Sequence, residues 1–243
     1  MVIAGHCSYL DKEDEQEIYE TAQALSEIRV VNEIDIRFRA KVFCGGTHKD
    51  RFFPGIGIDG IPLLDKINKF IPTGTEIQIP AHVNQSINLS YVWIGCRNSQ
   101  NYALLQYLKY FPRDIFIKRH PGMSNKEFID LHDLVSYLLN RDDIHMIERG
   151  ISTIDRTDGV RWSIAMNSLL EIRHDRPDIW ERLVVDISHS AGRKEYIGDL
   201  YSMCQSIGVN HYMIEVTKSG ESRTDGKQML SIAEFKDMIG VIK

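Results

Sequence analysis

No apolar stretch in the 243-residue chain approaches the roughly 18 uninterrupted residues that a membrane span requires, which reads as a soluble protein. A signal peptide is missing as well. Met1 leads directly into Val2-Ile3-Ala4-Gly5, which reads as a first strand, without a basic leader or a long apolar core; a cytoplasmic location is expected. Cysteine is sparse. The four, at 7, 44, 96 and 204, are too widely and irregularly spaced for a CxxC metal knuckle or a secreted disulfide framework, so reduced thiols are expected. With a net charge of -5 and no basic run, the chain offers no general attraction to nucleic acid. Any anion it binds must be held by a local pocket. No Pro/Gly/Ser-rich linker, low-complexity tract or solenoid repeat divides the chain, and one domain over residues 1–243 is the economical reading.

What the chain does have is alternation. Short β-branched runs are followed by longer amphipathic stretches, the pattern of βα units and a parallel sheet. Eight strands are expected near Val2–Gly5, Ile36–Phe43, Glu76–Ile79, Tyr91–Gly95, Asp114–Lys118, Ile144–Glu148, Leu183–Ile187 and Tyr212–Val216. Helical patterns lie near Glu13–Ile28, Ile61–Phe70, Gln100–Tyr110, Asn125–Leu139, Ser163–Ile172, Lys194–Ile207 and Ile232–Ile239. Ser124 and Glu127 form a capping box at the start of one of them. Eight such units in a chain of this length predict an α/β fold, a single (β/α)8 TIM barrel. The one long irregular segment, Cys44–Gly60, is of a length that is more often functional than idle.

The strands share a second property: several end in a metal-ligand or cationic residue, and in a parallel barrel those ends converge on one face. Cys7, His189 and Glu215 follow strands one, seven and eight, with Asp225 just beyond. A thiolate, an imidazole and two carboxylates suit Mn, Fe, Co or Zn better than Ca or Mg, which prefer all-oxygen shells. Singly, each has a plainer explanation: a buried filler for Cys7, a satisfied core histidine for His189, solvated carboxylates for Glu215 and Asp225. Jointly, they favour a metal site. Arg97, Lys118 and Arg149 end strands four, five and six, where a cation after an apolar run implies an anionic substrate. The competing explanation is an internal salt bridge, for instance Arg149 with Glu148 or Glu76. Gly45, Gly46, Lys49 and Arg51 form a weaker signal, a loop whose glycines permit close approach and whose cations could reach a phosphate.

These residues resemble a known family. The chain is similar to the metal-dependent 3-deoxy-aldulosonate phosphate synthases, and among them to the short type-I 3-deoxy-arabino-heptulosonate 7-phosphate (DAHP) synthases more than to the 3-deoxy-manno-octulosonate 8-phosphate synthases. IAGHCS matches the family's AGPCS, CGGTHKDR matches RGGAYKPR, FPGIGIDG matches FQGLGEEG and IGCRNSQN matches IGARNMQN. IKR matches LKR, IERGIST matches CERGIRT, DISHSAGRK matches DPSHSGGRR, and IEV followed by TDGKQ matches IEV followed by SDGKQ. Eight motifs in order span essentially the whole chain. The resemblance implies an enzyme of aromatic amino acid biosynthesis that condenses phosphoenolpyruvate with an aldose phosphate and releases phosphate. It also implies a divalent metal held by Cys7, His189, Glu215 and Asp225, and phosphoenolpyruvate gripped by Arg97, Lys118 and Arg149. Lys49, Lys118 and His189 fall on its catalytic positions, Lys49 and Arg51 on its acceptor loop, and a homodimer or homotetramer is the common assembly.

The departures cluster around the acceptor. Cys44 stands where the family's RGG begins, so one cation of the clamp is absent unless Lys41 or a neighbour substitutes. Asp50 replaces a proline, Phe52 a threonine, and about four residues are missing before Phe53 by this alignment. His6 replaces a proline, Thr217 a histidine, and Ser152 the arginine of ERGIR. An acceptor with less negative charge, or one bound in another pose, is expected. Two other readings remain open: a non-catalytic barrel that binds a phosphorylated metabolite or a protein partner, and a metal-dependent aldolase of different chemistry on the same barrel.

Overall fold

The computed structural model describes residues 1–45, 47–48, 51–52, 54–157 and 160–240. Eight parallel strands close on themselves: β1 (Val2–Gly5), β2 (Ile36–Arg39), β3 (Thr73–Ile77), β4 (Tyr91–Ile94), β5 (Asp114–Lys118), β6 (Ile144–Glu148), β7 (Val184–Asp186) and β8 (His211–Thr217). Each pairs with the next in sequence, and β8 returns to β1, with Val2 opposite Tyr212 and Gly5 opposite Glu215. This is the expected (β/α)8 barrel. No helix among the described residues is long and apolar enough to cross a membrane.

The helices between the strands are α1 (Glu15–Asn32), α2 (Ile61–Ile67), α3 (Pro80–Gln85), α4 (Tyr102–Tyr107), α5 (Asn125–Leu139), α6 (Met166–Asp175), α7 (Ile197–Ser206) and α8 (Ile232–Met238). Helix α5 begins with the predicted box: the Glu127 backbone N–H donates to Ser124 Oγ, and Glu127 Oε2 accepts from the Ser124 backbone. Ser231 and Glu234 repeat the device at α8. Helix α3 is the element that sequence pattern did not predict. It has only six residues, and Ile79-Pro80 reads as the end of a strand, whereas Pro80 in fact occupies the first helical turn. Strand β3 correspondingly starts at Thr73, three residues earlier than expected, where Gly74 accommodates the Tyr91 ring.

Period-two alternation divides the core in two. Val2, Ala4, Val92, Ile94, Ile115, Ile117, Val185 and Ile214 face the helices. Ile3, Tyr91, Trp93, Phe116, Ile147, Val184 and Met213 fill the barrel. The inward face continues toward the carboxyl ends, so Lys118 follows Phe116, Arg149 follows Ile147, Asp186 follows Val184 and Glu215 follows Met213. An apolar plug is thus capped by a layer of charge.

Gly5 closes this layer on the β1 side. Its φ of +140° is accessible chiefly to glycine, and a Cβ there would lie 2.4 Å from the Arg39 carbonyl oxygen. Gly5→Ala is expected to lower unfolding free energy by about 2 to 4 kcal/mol, since backbone cannot yield as a side chain would. Urea denaturation measures it; an unchanged midpoint would refute the close-packing argument.

Candidate active site

The carboxyl ends of β1, β7 and β8 bring the metal-ligand candidates together. Cys7 follows β1 and is fully buried; His189 sits on a short helix, Ile187–Ala191, directly after β7; Glu215 is an inward residue of β8. The Cys7 Sγ, one imidazole nitrogen of His189 and a Glu215 carboxylate oxygen all lie within 4.8 Å of one another. Donors bound to one ion at about 2.0 to 2.3 Å lie no more than roughly 4.6 Å apart, so the trio needs little adjustment to share a cation. Asp225 adjoins through Cys7, whose Sγ lies 3.2 Å from Asp225 Oδ2. Asp225 adopts the left-handed conformation, φ +53°, that aspartate tolerates better than most residues. The three residues after it form a single helical turn, from which Gln228 Nε2 donates to Glu215 Oε2 at 2.7 Å.

Asp186 organises the centre, and sequence reasoning did not single it out. One carboxylate receives the His189 backbone N–H at 3.1 Å, lies 2.9 Å from His189 Nδ1, and accepts from Lys118 Nζ at 2.6 Å. With Nδ1 committed to Asp186, Nε2 is the nitrogen presented toward Glu215, 3.7 Å from its Oε1. Burial lowers the His189 pKa against the opposing pull of Asp186 and Glu215, keeping the imidazole neutral and ligand-competent near pH 7. Burial pushes the Cys7 thiol well up, and Glu215 pushes it further. This fits a cation: a thiol beside two carboxylates ionises only when positive charge joins it.

The predicted cations line a cavity of about 760 Å³ above this centre, where Arg97, Lys118 and Arg149 meet His189 and Asp225. The salt-bridge alternative for Arg149 does not hold among the described residues. Glu148 is taken by Arg119 Nη1 at 2.6 Å and by the Gly150 N–H, and Glu76 accepts from Trp93 Nε1 at 3.2 Å. Neither Arg97 nor Arg149 has a carboxylate within ion-pair distance among the described residues. Lys118 differs. It is buried against Asp186, and its pKa is lowered by that burial, which the Asp186 charge only partly offsets.

Lys41 and Cys44 stand together in the cavity wall, with Lys41 Nζ donating to the Gly45 carbonyl at 3.3 Å. The neighbouring lysine thus brings a cation to the wall where Cys44 replaces arginine. Arg39 was also missed. It ends β2, opposite Gly5 and in the same layer as Glu215, and its Nη2 approaches Glu215 Oε1 at 3.4 Å. Its parity with Arg37 on an inward strand face is the signal that could have found it. Ser152 sits on the cavity rim. Lys49 and the Arg51 side chain lie outside the described residues.

The Asp186 carboxyl is held well below the usual range: burial would raise it, but His189 and Lys118 outweigh burial. Such a group stabilises the fold above its unfolded value of about 3.8, and the contribution is lost as pH falls through the lowered folded value. Asp186→Asn should therefore lose about 3 to 5 kcal/mol at pH 7, leaving buried Lys118 unpaired, and the deficit should shrink below pH 4. Denaturant titrations across pH read both; a deficit independent of pH would contradict the assignment.

The chain is similar to known proteins over its whole length. A phospho-2-dehydro-3-deoxyheptonate aldolase of Thermotoga maritima is 28% identical over 255 aligned residues, covering 100% of this chain and 68% of that protein. The crystal structure of a Thermotoga maritima phospho-2-dehydro-3-deoxyheptonate aldolase (DAHP synthase) superimposes with a TM-score of 0.85 at 24% identity, covering 99% of this chain and 67% of that one. A truncated form of the Thermotoga maritima 3-deoxy-D-arabino-heptulosonate 7-phosphate synthase gives 0.81 at 24% identity, covering 99% and 84%. These superpositions show the shared barrel. The profile of the DAHP synthetase I family matches residues 1–241, and the chain belongs to that family.

Proposed function

We propose that this barrel, residues 1–243 acting as one unit, condenses phosphoenolpyruvate with an aldose phosphate, water adding at C2 of the former as its phosphate departs, to give a 3-deoxy-ulosonate phosphate and inorganic phosphate. The observation that carries the reading is the pairing of two charge patterns in one cavity. Arginines that have no carboxylate partner among the described residues face a trio of buried thiol, half-buried imidazole and buried carboxylate. Family membership supports the same chemistry.

Arg97 and Arg149 are the anion clamp, each guanidinium able to give two parallel bonds to a carboxylate or phosphate. Lys118 lies deeper and, anchored to Asp186, offers its remaining N–H groups to the same ligand. Cys7, His189, Glu215 and Asp225 hold the divalent ion, with Mn, Fe, Co and Zn all compatible with the donor set. When bound, that ion supplies Lewis-acid polarisation of the acceptor aldehyde. The chain's own part is positioning: the cations offset charge on phosphoenolpyruvate, so its C3 can approach the carbonyl carbon without electrostatic penalty. Of the two groups that flank Asp186, Lys118 is assigned to hold or pass a proton in the cavity, while His189, with Nδ1 on Asp186 and Nε2 toward Glu215, serves catalysis as a metal ligand. Lys49 and Arg51 are assigned to the acceptor phosphate. A cytoplasmic setting and a homodimer or homotetramer complete the proposal.

Incubation with phosphoenolpyruvate, Mn2+ and a panel of aldoses, led by erythrose 4-phosphate and arabinose 5-phosphate, should release phosphate. Turnover with erythrose 4-phosphate should fall below that of a typical family member, because the Arg-to-Ser change at 152 removes a charge-assisted contact worth about 1.5 to 3 kcal/mol. Phosphoenolpyruvate that binds without turnover on any aldose would favour the non-catalytic reading. Cys7→Ala should weaken Mn2+ or Zn2+ binding at least tenfold by calorimetry while leaving the barrel folded; undiminished affinity would remove Cys7 from the metal site.

A further inference from the structure

Arg149 is held in place by contacts that leave its charge intact. Its Nη1 meets Cys96 Sγ at 3.5 Å, and its guanidinium carbon lies 5.2 Å from the centroid of the Trp162 ring. Neither partner is a carboxylate. Trp162 reaches this position on an antiparallel hairpin, Ile151–Thr157 with Val160–Ser163, which follows β6 immediately and folds back over its end. Trp162 lies opposite Ser152, and Ser163 opposite Ile151; the Ser152 N–H donates to the Pro121 carbonyl at 2.8 Å, fastening the hairpin to the loop after β5.

Gly150 makes the approach possible. Its φ is +94°, and a Cβ there would fall 2.8 Å from the Trp162 Cβ and 3.1 Å from the Ser163 carbonyl oxygen. The glycine between Arg149 and the hairpin therefore lets the indole descend onto the guanidinium. Both groups line the same cavity.

We propose that Trp162 is a positioning residue for Arg149, fixing the guanidinium for phosphoenolpyruvate by stacking; this rests on the clamp role given to Arg149 above. A carboxylate at the same place would orient the arginine equally well. It would also neutralise it, and the incoming anion would have to compete for the same N–H donors. An aromatic face is attracted to the cation through its quadrupole yet accepts none of the in-plane N–H bonds, so the edge that grips a carboxylate or phosphate stays available. The side chain loses its rotamer freedom before substrate arrives, and affinity rises by that pre-organisation.

The test compares Trp162→Ala and Trp162→Phe with the wild-type chain, using Mn2+, phosphoenolpyruvate and the best acceptor from the panel. Trp162→Ala should raise the Kd of phosphoenolpyruvate by calorimetry, and its KM, about tenfold, the size of a partly desolvated cation–π contact. Its kcat should stay within about twofold and the acceptor KM should be unchanged, because in this proposal the ring acts through Arg149 alone. Trp162→Phe, which keeps a smaller aromatic face, should recover most of the affinity. A merely structural role would lower thermal stability and kcat together without this split or rescue. Unchanged phosphoenolpyruvate affinity in Trp162→Ala overturns the proposal, as does an effect confined to acceptor KM. A wild-type chain that binds no phosphoenolpyruvate overturns the reading on which both rest.

Discussion

Side chains two positions apart on a strand point the same way, and in a closed parallel sheet this rule fixes where charge can go. Ile3, Trp93, Phe116, Ile147, Val184 and Met213 fill the barrel, so the next inward residue of a strand stands at its mouth. Lys118, Arg149, Asp186 and Glu215 occupy those places, and Gly5 lies opposite both Arg39 and Glu215. None of these residues could be moved by one position without exchanging the cavity for the helix-packed face.

The deepest charges of the layer are matched individually. An unpaired buried ion is strongly destabilising, so Asp186 answers Lys118 and orients His189, while Glu148 answers Arg119. Glu215 is shared among Gln228, Arg39 and the His189 imidazole. Such pairs add little net stability over apolar packing; their effect is positional, since each carboxylate holds a neighbour's nitrogen in one orientation. Arg39 shows the cost. Its Nε and Nη1 lack hydrogen-bond partners, and the guanidinium rests over the Trp93 ring at 5.3 Å. Arg97 and Arg149 stand outside this balance, at the cavity surface, and the layer therefore presents positive charge toward the solvent opening.

Sequence pattern revealed the barrel because its two periods are strong, and it revealed the residues at strand ends because a cation or thiol closing an apolar run is chemically conspicuous. Cys7, His189 and Glu215 are brought together as that argument required, and Asp225 reaches them through Cys7. What stayed hidden depends on spatial pairing. Asp186 falls inside the expected strand Leu183–Ile187 with nothing in sequence to mark its partners, and only the fold shows its carboxylate meeting a lysine 68 positions earlier. The hairpin carrying Trp162 has no long apolar alternation of its own, and its indole matters only because Gly150 admits it. Arg39 was masked for a different reason. The motif alignment drew the missing arginine to Cys44, whereas the barrel register makes Arg39 the residue that ends the strand.

The state of Cys7 links the two halves of the site. Burial and the nearby carboxylate of Glu215 keep its proton on, and the thiol spends it in a contact with Asp225. His189, lowered by burial, has no proton to give up at its free nitrogen. A divalent cation held by Cys7, His189 and Glu215 would take the place of the Cys7 proton and would leave the mouth one charge more positive than before. Arg97 and Arg149 already add charge of the same sign across the cavity, without carboxylate partners among the described residues. The combined field is relieved most by a small ligand bearing more than one negative charge, placed between clamp and thiol. Phosphoenolpyruvate, with a carboxylate and a phosphate on three carbons, meets that requirement.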